Sequence, residues 1–282
     1  MNKNELGKTM ISASIVLYNT PKFQVEAVLK SVFDSKCIDK LYIIDNSPND
    51  WWRCLEKESS IIRYVHNENV GYGASHNLAI RKAIEEGSTY HVVLNPDLKF
   101  DSNVIPALIE YMDLHKEVGH VMPKILNADG ELQYLCKLVP TPFDLILRRF
   151  FPRKLKEKLS YKFELRFADY EKEMDVPYLS GCFMFFRTEA LVKCKGFDER
   201  FFMYPEDIDI TRRIHKDYRT VYYPKVSVYH LHAAESYHSK KMLKVHIKNM
   251  CRYFNKWGWI FDRERRKFNK ETLKQLGYKG RK

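Results

Sequence analysis

The sequence predicts an α/β fold, a three-layer sandwich about a mostly parallel central sheet followed by a C-terminal helical extension. Three observations carry this reading. Short apolar runs alternate with helical patterns through the first half of the chain, polar residues stand directly after each apolar run, and the excess positive charge is confined to the last segment. Strands joined by helices pair in parallel, and a parallel sheet needs helices on both faces.

Ile11 to Leu17 reads as a buried strand, Thr20-Pro21 as a helix cap with proline at the first helical position, and Phe23 to Phe33 as an amphipathic helix. Leu41 to Ile44 is a second strand, followed by a short helix. Ile61 to Val65 is a third, followed by a helix from about Tyr72 to Glu86. His91 to Leu94 is a fourth; Leu98 to Asp101 begins its connection to a helix from about Asn103 to His115. After about Gly130 the pattern changes. Pro140 to Lys172 is rich in aromatic and basic residues, Val176 to Arg187 reads as a strand, Pro205 to Lys216 as a charged helix and Thr220 to Tyr229 as a last strand. From about Tyr237, Leu243, Ile247, Met250, Phe254 and Trp257 recur at helical spacing opposite Lys244, Lys248, Arg252 and Lys256.

Composition narrows the function classes. With 45% hydrophobic and 14% aromatic residues over 282 positions, the chain can bury a sizeable core and is not intrinsically disordered. No apolar run approaches the roughly 18 to 20 residues that span a bilayer. Met1 to Thr9 is polar and lacks the apolar stretch of a signal peptide, so the expectation is a soluble, cytosolic protein. The six cysteines have no metal-ligand spacing and read as small apolar fillers. Net charge is +12, and Ser236 to Lys282 holds about 15 basic against 3 acidic residues, so this extension supplies the whole excess.

In parallel sheets ligands bind beyond the carboxyl ends of the strands, which directs attention to the residues after each apolar run. Asp45 closes one such run, where its carboxylate can accept from a base N–H or a ribose hydroxyl, or cap a helix. Asn69-Val-Gly71-Tyr-Gly73-Ala-Ser-His-Asn77 sets two glycines before a helix, allowing close backbone approach and offering helix-terminal N–H groups to phosphate. It is neither a Walker loop nor the full dinucleotide fingerprint. Asn95-Pro96-Asp97 ends a buried strand with a carboxylate suited to a hard divalent cation, or forms an ordinary turn. Glu206, Asp207 and Asp209 cluster at a helix start just after an aromatic loop. They can supply a general base to a sugar hydroxyl, or simply favour the helix N-terminus. His230 and His232 face one side at the end of the last strand, as metal ligands or as structural histidines.

Taken in order, strand-end Asp45, Asn69 to Asn77, Leu-Asn-Pro-Asp97, Gly181-Cys-Phe-Met, Gly-Phe-Asp-Glu with Glu206-Asp207, and His230 resemble family 2 glycosyltransferases of the GT-A fold. The likeness is greatest to the rhamnosyltransferase-like branch of bacterial polysaccharide assembly and covers about residues 10 to 257. It implies a catalytic domain over 10–236, with a nucleotide-binding half at about 10–130 and an acceptor half at about 131–236. A basic amphipathic extension would follow over 237–282.

By the same resemblance Asp45 contacts the nucleotide base, and Asn69, Gly71, Gly73 and Asn77 line the donor diphosphate. Asn95 and Asp97 stand where the family has Asp-x-Asp, so Asp97 holds Mg²⁺ or Mn²⁺, and the asparagine removes one anionic ligand. His230, or the neighbouring His232, matches a third-ligand position. Asp207 matches the catalytic base and Glu206 supports the acceptor. The implied reaction is inverting transfer of a sugar, with rhamnose a candidate, from a dTDP- or UDP-sugar to a hydroxyl of a saccharide acceptor, expected to be lipid-linked.

Two other classes compete. A sugar nucleotidyltransferase would carry a glycine-rich basic loop after the first strand, where this chain has Tyr18-Asn-Thr-Pro21. A non-catalytic nucleic-acid or membrane binder would explain the basic extension but not the acidic clusters in a near-neutral core. Nucleic acid is therefore not an expected partner, whereas an anionic membrane surface is, with the enzyme peripheral on the inner face of the cytoplasmic membrane.

Overall fold

Alternating apolar runs and amphipathic helices build the first half of the sheet as expected, and the computed structural model describes residues 9–145, 153–231 and 240–280. β1 (Ile11–Leu17), α1 (Lys22–Ser35), β2 (Lys40–Asp45), a short 3₁₀-helix (Trp51–Lys57), β3 (Ile62–His66), α2 (Tyr72–Glu85) and β4 (Tyr90–Leu94) follow in turn. After them come β5 (Leu98–Phe100), α3 (Val104–Leu114), β6 (Val118–Leu126), β7 (Cys136–Lys137), α4 (Pro142–Leu145) and α5 (Arg153–Phe163). The rest comprises β8 (Met174–Asp175), β9 (Tyr178–Leu179), β10 (Phe183–Arg187), α6 (Thr188–Cys194), α7 (Glu206–Ile214), β11 (Arg219–His230), α8 (Lys240–Trp257) and α9 (Arg263–Gln275).

The main sheet has the order β3-β2-β1-β4-β10-β6-β11-β5, with β8 also on β11. β3, β2, β1, β4, β6 and β11 run one way, and β10, β5 and β8 run against them. The sheet is thus mixed but mostly parallel. One face packs α1 and α3 through Val25, Val28, Leu29, Leu108 and Met112. The other packs α2, α6 and α7 through Ile80, Leu191, Ile210 and Ile214 on Val93, Met184 and Phe186. Three layers result.

Several elements depart from the expectation. Val118–Leu126 was not anticipated as a strand, because Gly119, His120, Pro123 and Lys124 dilute its β signature; it is nevertheless buried between β10 and β11. Leu98–Phe100 is a strand rather than mere connection, since Leu98 and Phe100 are buried while Lys99 points out. The single strand expected over Val176 to Arg187 is two, β9 and β10, divided at Gly181. α5 and α6 were also unforeseen. The start of the tail helix, His232 and residues 146–152 of the basic-aromatic segment lie outside the described residues.

The extension is built into the core. Met250, Tyr253 and Phe254 of α8 belong to the main hydrophobic cluster. Arg212 of α7, fully buried, donates to both carboxylate oxygens of Asp262 at 2.7 and 2.6 Å, and to Glu264 at 2.8 Å. Its guanidinium also lies 4.0 Å from the Trp257 ring centre. Asp262 in turn caps α9 by accepting from the Arg265 N–H at 2.9 Å.

Removing one partner of such a buried pair strands the other charge. Asp262→Ala is expected to lower unfolding free energy by roughly 3–5 kcal/mol in urea denaturation, and a loss below about 1 kcal/mol would mean that the pair does not hold the extension.

Candidate functional site

Register brings the strand ends together. Leu17 lies opposite Asp45, Asp45 opposite His66, and Ile15 opposite Leu94. β2 and β4 flank β1, so Asp45 and the segment after Leu94 are two strand spacings apart, about 10 Å. That interval suits a nucleotide laid across the end of β1 rather than a single ion.

At one end of this interval Asp45 is fully buried. It accepts from the Tyr64 hydroxyl at 2.8 Å and from the Ser47 N–H at 3.0 Å. It does not cap the following short helix, which is preceded by Asp50. Asn69 is exposed on the loop before α2. Gly71 has φ of +100°, and a Cβ there would overlap the Phe202 carbonyl; one on Gly73 would lie 2.9 Å from Phe197. The room left by the two glycines is filled by the loop between α6 and α7, so the close approach is to protein. Asn77 likewise faces that loop, accepting from the Phe197 N–H at 2.8 Å and donating to the Phe197 carbonyl and Glu199, both at 2.9 Å.

At the other end the site is knit by Tyr72. Its hydroxyl lies 2.7 Å from the Gly181 carbonyl and 3.0 Å from Asn95 Oδ1. Because β10 runs antiparallel beside β4, with Phe183 opposite Leu94, the Gly181-Cys182 turn falls at the carboxyl end of β4, where Asn95 donates its N–H to the Cys182 carbonyl at 2.9 Å. Asp207, in the first turn of α7, reaches the same turn from the other side. Its Oδ2 accepts from the Gly181 N–H at 3.2 Å and the Tyr178 hydroxyl at 3.4 Å, and its Oδ1 from the Ile208 N–H at 2.8 Å.

Asp97 and His230 also converge, because β5 pairs antiparallel with β11 and sets His230 opposite Leu98. His230 Nε2 is 3.3 Å from Asp97 Oδ2. Gln133 spends its amide nitrogen on Asn127 Oδ1 at 2.8 Å and the His230 carbonyl at 3.2 Å, which leaves its oxygen facing His230 Nδ1 at 3.1 Å. Nδ1 is therefore the donor, and Nε2 turns toward the carboxylate.

The acids sit in a low-dielectric environment. Burial, and after it the Asp207 charge, pushes the Glu206 carboxyl well above the usual carboxylate range. Burial also raises Asp207, against the opposing pull of the Ile208 and Gly181 N–H groups, the Tyr178 hydroxyl and the Lys137 charge. Burial foremost, then Glu206 and other nearby acids, keeps Tyr72 protonated far above its ordinary range.

The sequence reading thus named Asn95, Asp97, Glu206, Asp207 and His230, which the fold brings into one cluster, and Asp45 across β1 from them. It missed the bridging of Tyr72, the Tyr178 and Gly181 donors, Lys137 and Gln133. Gly181 and Tyr72 stood inside recognised motifs; Lys137 on a two-residue strand carried no signal.

The family model for glycosyl transferase family 2 matches residues 12–194. An N-acetylglucosaminyl-diphospho-decaprenol L-rhamnosyltransferase of Mycobacterium tuberculosis is 30% identical over 181 residues, 60% of this chain and 57% of that protein. The chain thus spans little more than half the length of that relative. Rhamnosyltransferase WbbL of Escherichia coli is 25% identical over 222 residues, 76% of this chain and 81% of its own. Among solved structures, GalNAc-T7 with UDP, GalNAc and Mn²⁺ superposes with a TM-score of 0.62 at 14% identity, over 85% of this chain and 47% of that one. Staphylococcus aureus TarS 1-349 in complex with UDP-GlcNAc gives 0.58 at 14% identity, over 94% and 71%. These structural likenesses establish the GT-A fold.

The raised Glu206 gives a pH test. In the folded state it keeps its proton where the unfolded chain, at about 4.3, has lost it, so its stability contribution is present below that value and lost as pH rises toward the folded value. Glu206→Gln removes this loss. The variant should gain on the wild type in thermal unfolding between about pH 5 and 8, by up to about 1.4 kcal/mol per unit, and a constant gap would contradict the assignment.

Proposed function

Because the chain belongs to glycosyl transferase family 2, we propose that it transfers a sugar with inversion from a nucleotide-diphosphate donor to a hydroxyl of a lipid-linked saccharide in cell-surface polysaccharide biosynthesis. Rhamnose from a dTDP- or UDP-linked donor is the sugar favoured by likeness to the mycobacterial and E. coli rhamnosyltransferases. The reaction would take place in the cytoplasm, at the inner face of the cytoplasmic membrane. The observation that carries the reading is Asp207, held by the Gly181 N–H and Tyr178 hydroxyl, with Tyr72 linking the same Gly181 turn to Asn95 at the end of β4.

In this mechanism the donor nucleotide lies across the end of β1, its base toward Asp45, with Asn69 and the Gly71–Gly73 turn beside it and its diphosphate toward Asn95 and Asp97. Asn77 acts by holding the loop that closes on those glycines. Asp207 takes the proton from the acceptor hydroxyl, and Glu206, on the adjacent buried wall, supports the acceptor side. A single carboxylate base without an enzyme nucleophile gives inversion.

Asp97 and His230 fit a small divalent cation. Their facing oxygen and nitrogen are 3.3 Å apart. Adjacent ligands on an octahedral ion at 2.0–2.1 Å lie about 3 Å from one another. Gln133 orients the imidazole from behind, the usual role of an outer-shell partner. Among the described residues no group of three His, Cys, Asp or Glu side chains is placed to hold a metal ion together, so further ligands would come from the diphosphate and water. Mg²⁺ or Mn²⁺ bound there would stabilise charge on the leaving diphosphate as a Lewis acid.

Asp207→Asn should lower kcat about a hundredfold or more while donor affinity in calorimetry stays near wild type; turnover above about a tenth of wild type would remove the base role. Chelation should abolish transfer and restoration of Mn²⁺ should recover it, while Asp97→Ala should remain inactive at ordinary Mn²⁺ concentrations. Full activity of that variant would dismiss Asp97 as the ligand.

A further inference from the structure

Trp259, Ile260 and Phe261 form the turn between α8 and α9, and these residues are 40%, 70% and 82% exposed. This tip is fixed. Gly258, at φ of +99°, donates its N–H to the Phe254 carbonyl at 2.7 Å, and the Trp259 indole donates to Asn255 Oδ1 at 2.8 Å. Arg265 reaches back to the Trp259 and Ile260 carbonyls, and the next residue, Asp262, is locked onto buried Arg212. The fold therefore holds a contiguous apolar tip in water, an arrangement that marks an interaction surface.

The neighbouring face of α9 says what would cover it. Arg266, Lys270 and Lys274 recur at four-residue spacing, all exposed, and none forms an ion pair with a described carboxylate. With Ile260, Leu273 and Tyr278 they line a groove of about 750 Å³ that has no acidic residue among the described residues of its wall. The Arg266 guanidinium lies 5.8 Å from the Phe261 ring centre, so charge and apolar tip are continuous.

We propose that this face docks on an anionic membrane surface, with Ile260 and Phe261 entering the acyl boundary, Trp259 at headgroup level, and Arg266, Lys270 and Lys274 against lipid phosphates. Nucleic acid fits less well, since exposed Ile260 offers no π face for a base. The basic face of α8 expected from the sequence is partly spent elsewhere: Lys256 pairs with Asp198 and Asp209, and Arg252 donates to the Arg200 carbonyl. Thr141, in the wall of the groove, is four residues from Lys137 and thus at most about 14 Å from it along the chain. Since Lys137 acts on Asp207, docking would hold the site close to the headgroups. The purpose of docking rests on the lipid-linked acceptor proposed above, but the docking itself is measured separately.

The test is co-sedimentation of the full chain with vesicles of phosphatidylglycerol and phosphatidylcholine in equal parts. Wild type should bind these and not phosphatidylcholine alone. Ile260→Ser with Phe261→Ser, and separately Arg266→Gln with Lys270→Gln and Lys274→Gln, should each weaken binding at least tenfold, at about fivefold per cation. Lys244→Gln with Lys248→Gln should bind as wild type. Unchanged binding by either α9-face variant, equal loss in the α8 variant, equal binding to neutral vesicles, or a tip-dependent dimer in light scattering would overturn the assignment. Transfer to a short water-soluble acceptor, followed in parallel, keeps the two readings apart. Transfer without docking rejects this surface alone, and docking without transfer rejects the enzyme reading alone.

Discussion

The arrangement depends on the burial of Arg212. A guanidinium taken fully out of water is tolerated only when its donors are matched, and here Asp262, Glu264 and the Tyr253 hydroxyl match them from the extension, with Trp257 over its face. Burial opposes charge on both Arg212 and Asp262, yet their pairing prevails, raising the one and lowering the other. The pair fixes how α7 is rolled about its axis. Asp209, also fully buried, adds to this by taking Arg213, Lys256 and the Trp257 indole. Since Glu206 and Asp207 open the same helix, the direction in which they point is set from the far end of the chain.

This changes the meaning of the basic extension. Read as composition, its excess charge suggested a surface property of an appendage. In the fold, Arg265, Lys256 and Arg252 are engaged with the rest of the chain, while Arg266, Lys270 and Lys274 are left outward on one face. Charge counting cannot separate the two groups, because separation depends on which side of each helix meets the catalytic part. Helical periodicity located the apolar stripe of α8 correctly at Met250 and Phe254, and these residues do enter the core.

Legibility followed the range of the interactions. β1 to β4 and their helices were readable because a parallel β-α unit writes its burial into local periodicity. β6 was hidden by Gly119, His120, Pro123 and Lys124, residues accepted only because β10 and β11 enclose the strand. The antiparallel insertion of β10 left no local mark, yet it is what delivers Gly181 to Asn95 and Asp207. Likewise Asp97 and His230 were each visible as strand-end residues, whereas their meeting required the β5–β11 pairing. Gly71 and Gly73 were read as positions where the backbone approaches a ligand closely. Periodicity could not tell that Phe202 and Phe197, from a loop far along the chain, take that place.

Tyr72 explains how two opposed electrostatic demands can coexist in one small site. On the proposed roles, a base must bear negative charge within reach of the acceptor, while a cation position close by would attract any carboxylate not held elsewhere. Asp207 is held by donors that belong to its own wall, Gly181, Tyr178 and Ile208, while Asp97 faces His230 on the other. Between them stands the half-buried Tyr72 hydroxyl, which stays protonated and gives its single proton to the Gly181 carbonyl or to Asn95. An aspartate in place of Asn95 would place a further anion two residues from Asp97, among the carboxylates that already act on Tyr72. The amide accepts from the tyrosine without adding that charge, and on the roles proposed above the cation ligand and the base then stand on separate supports.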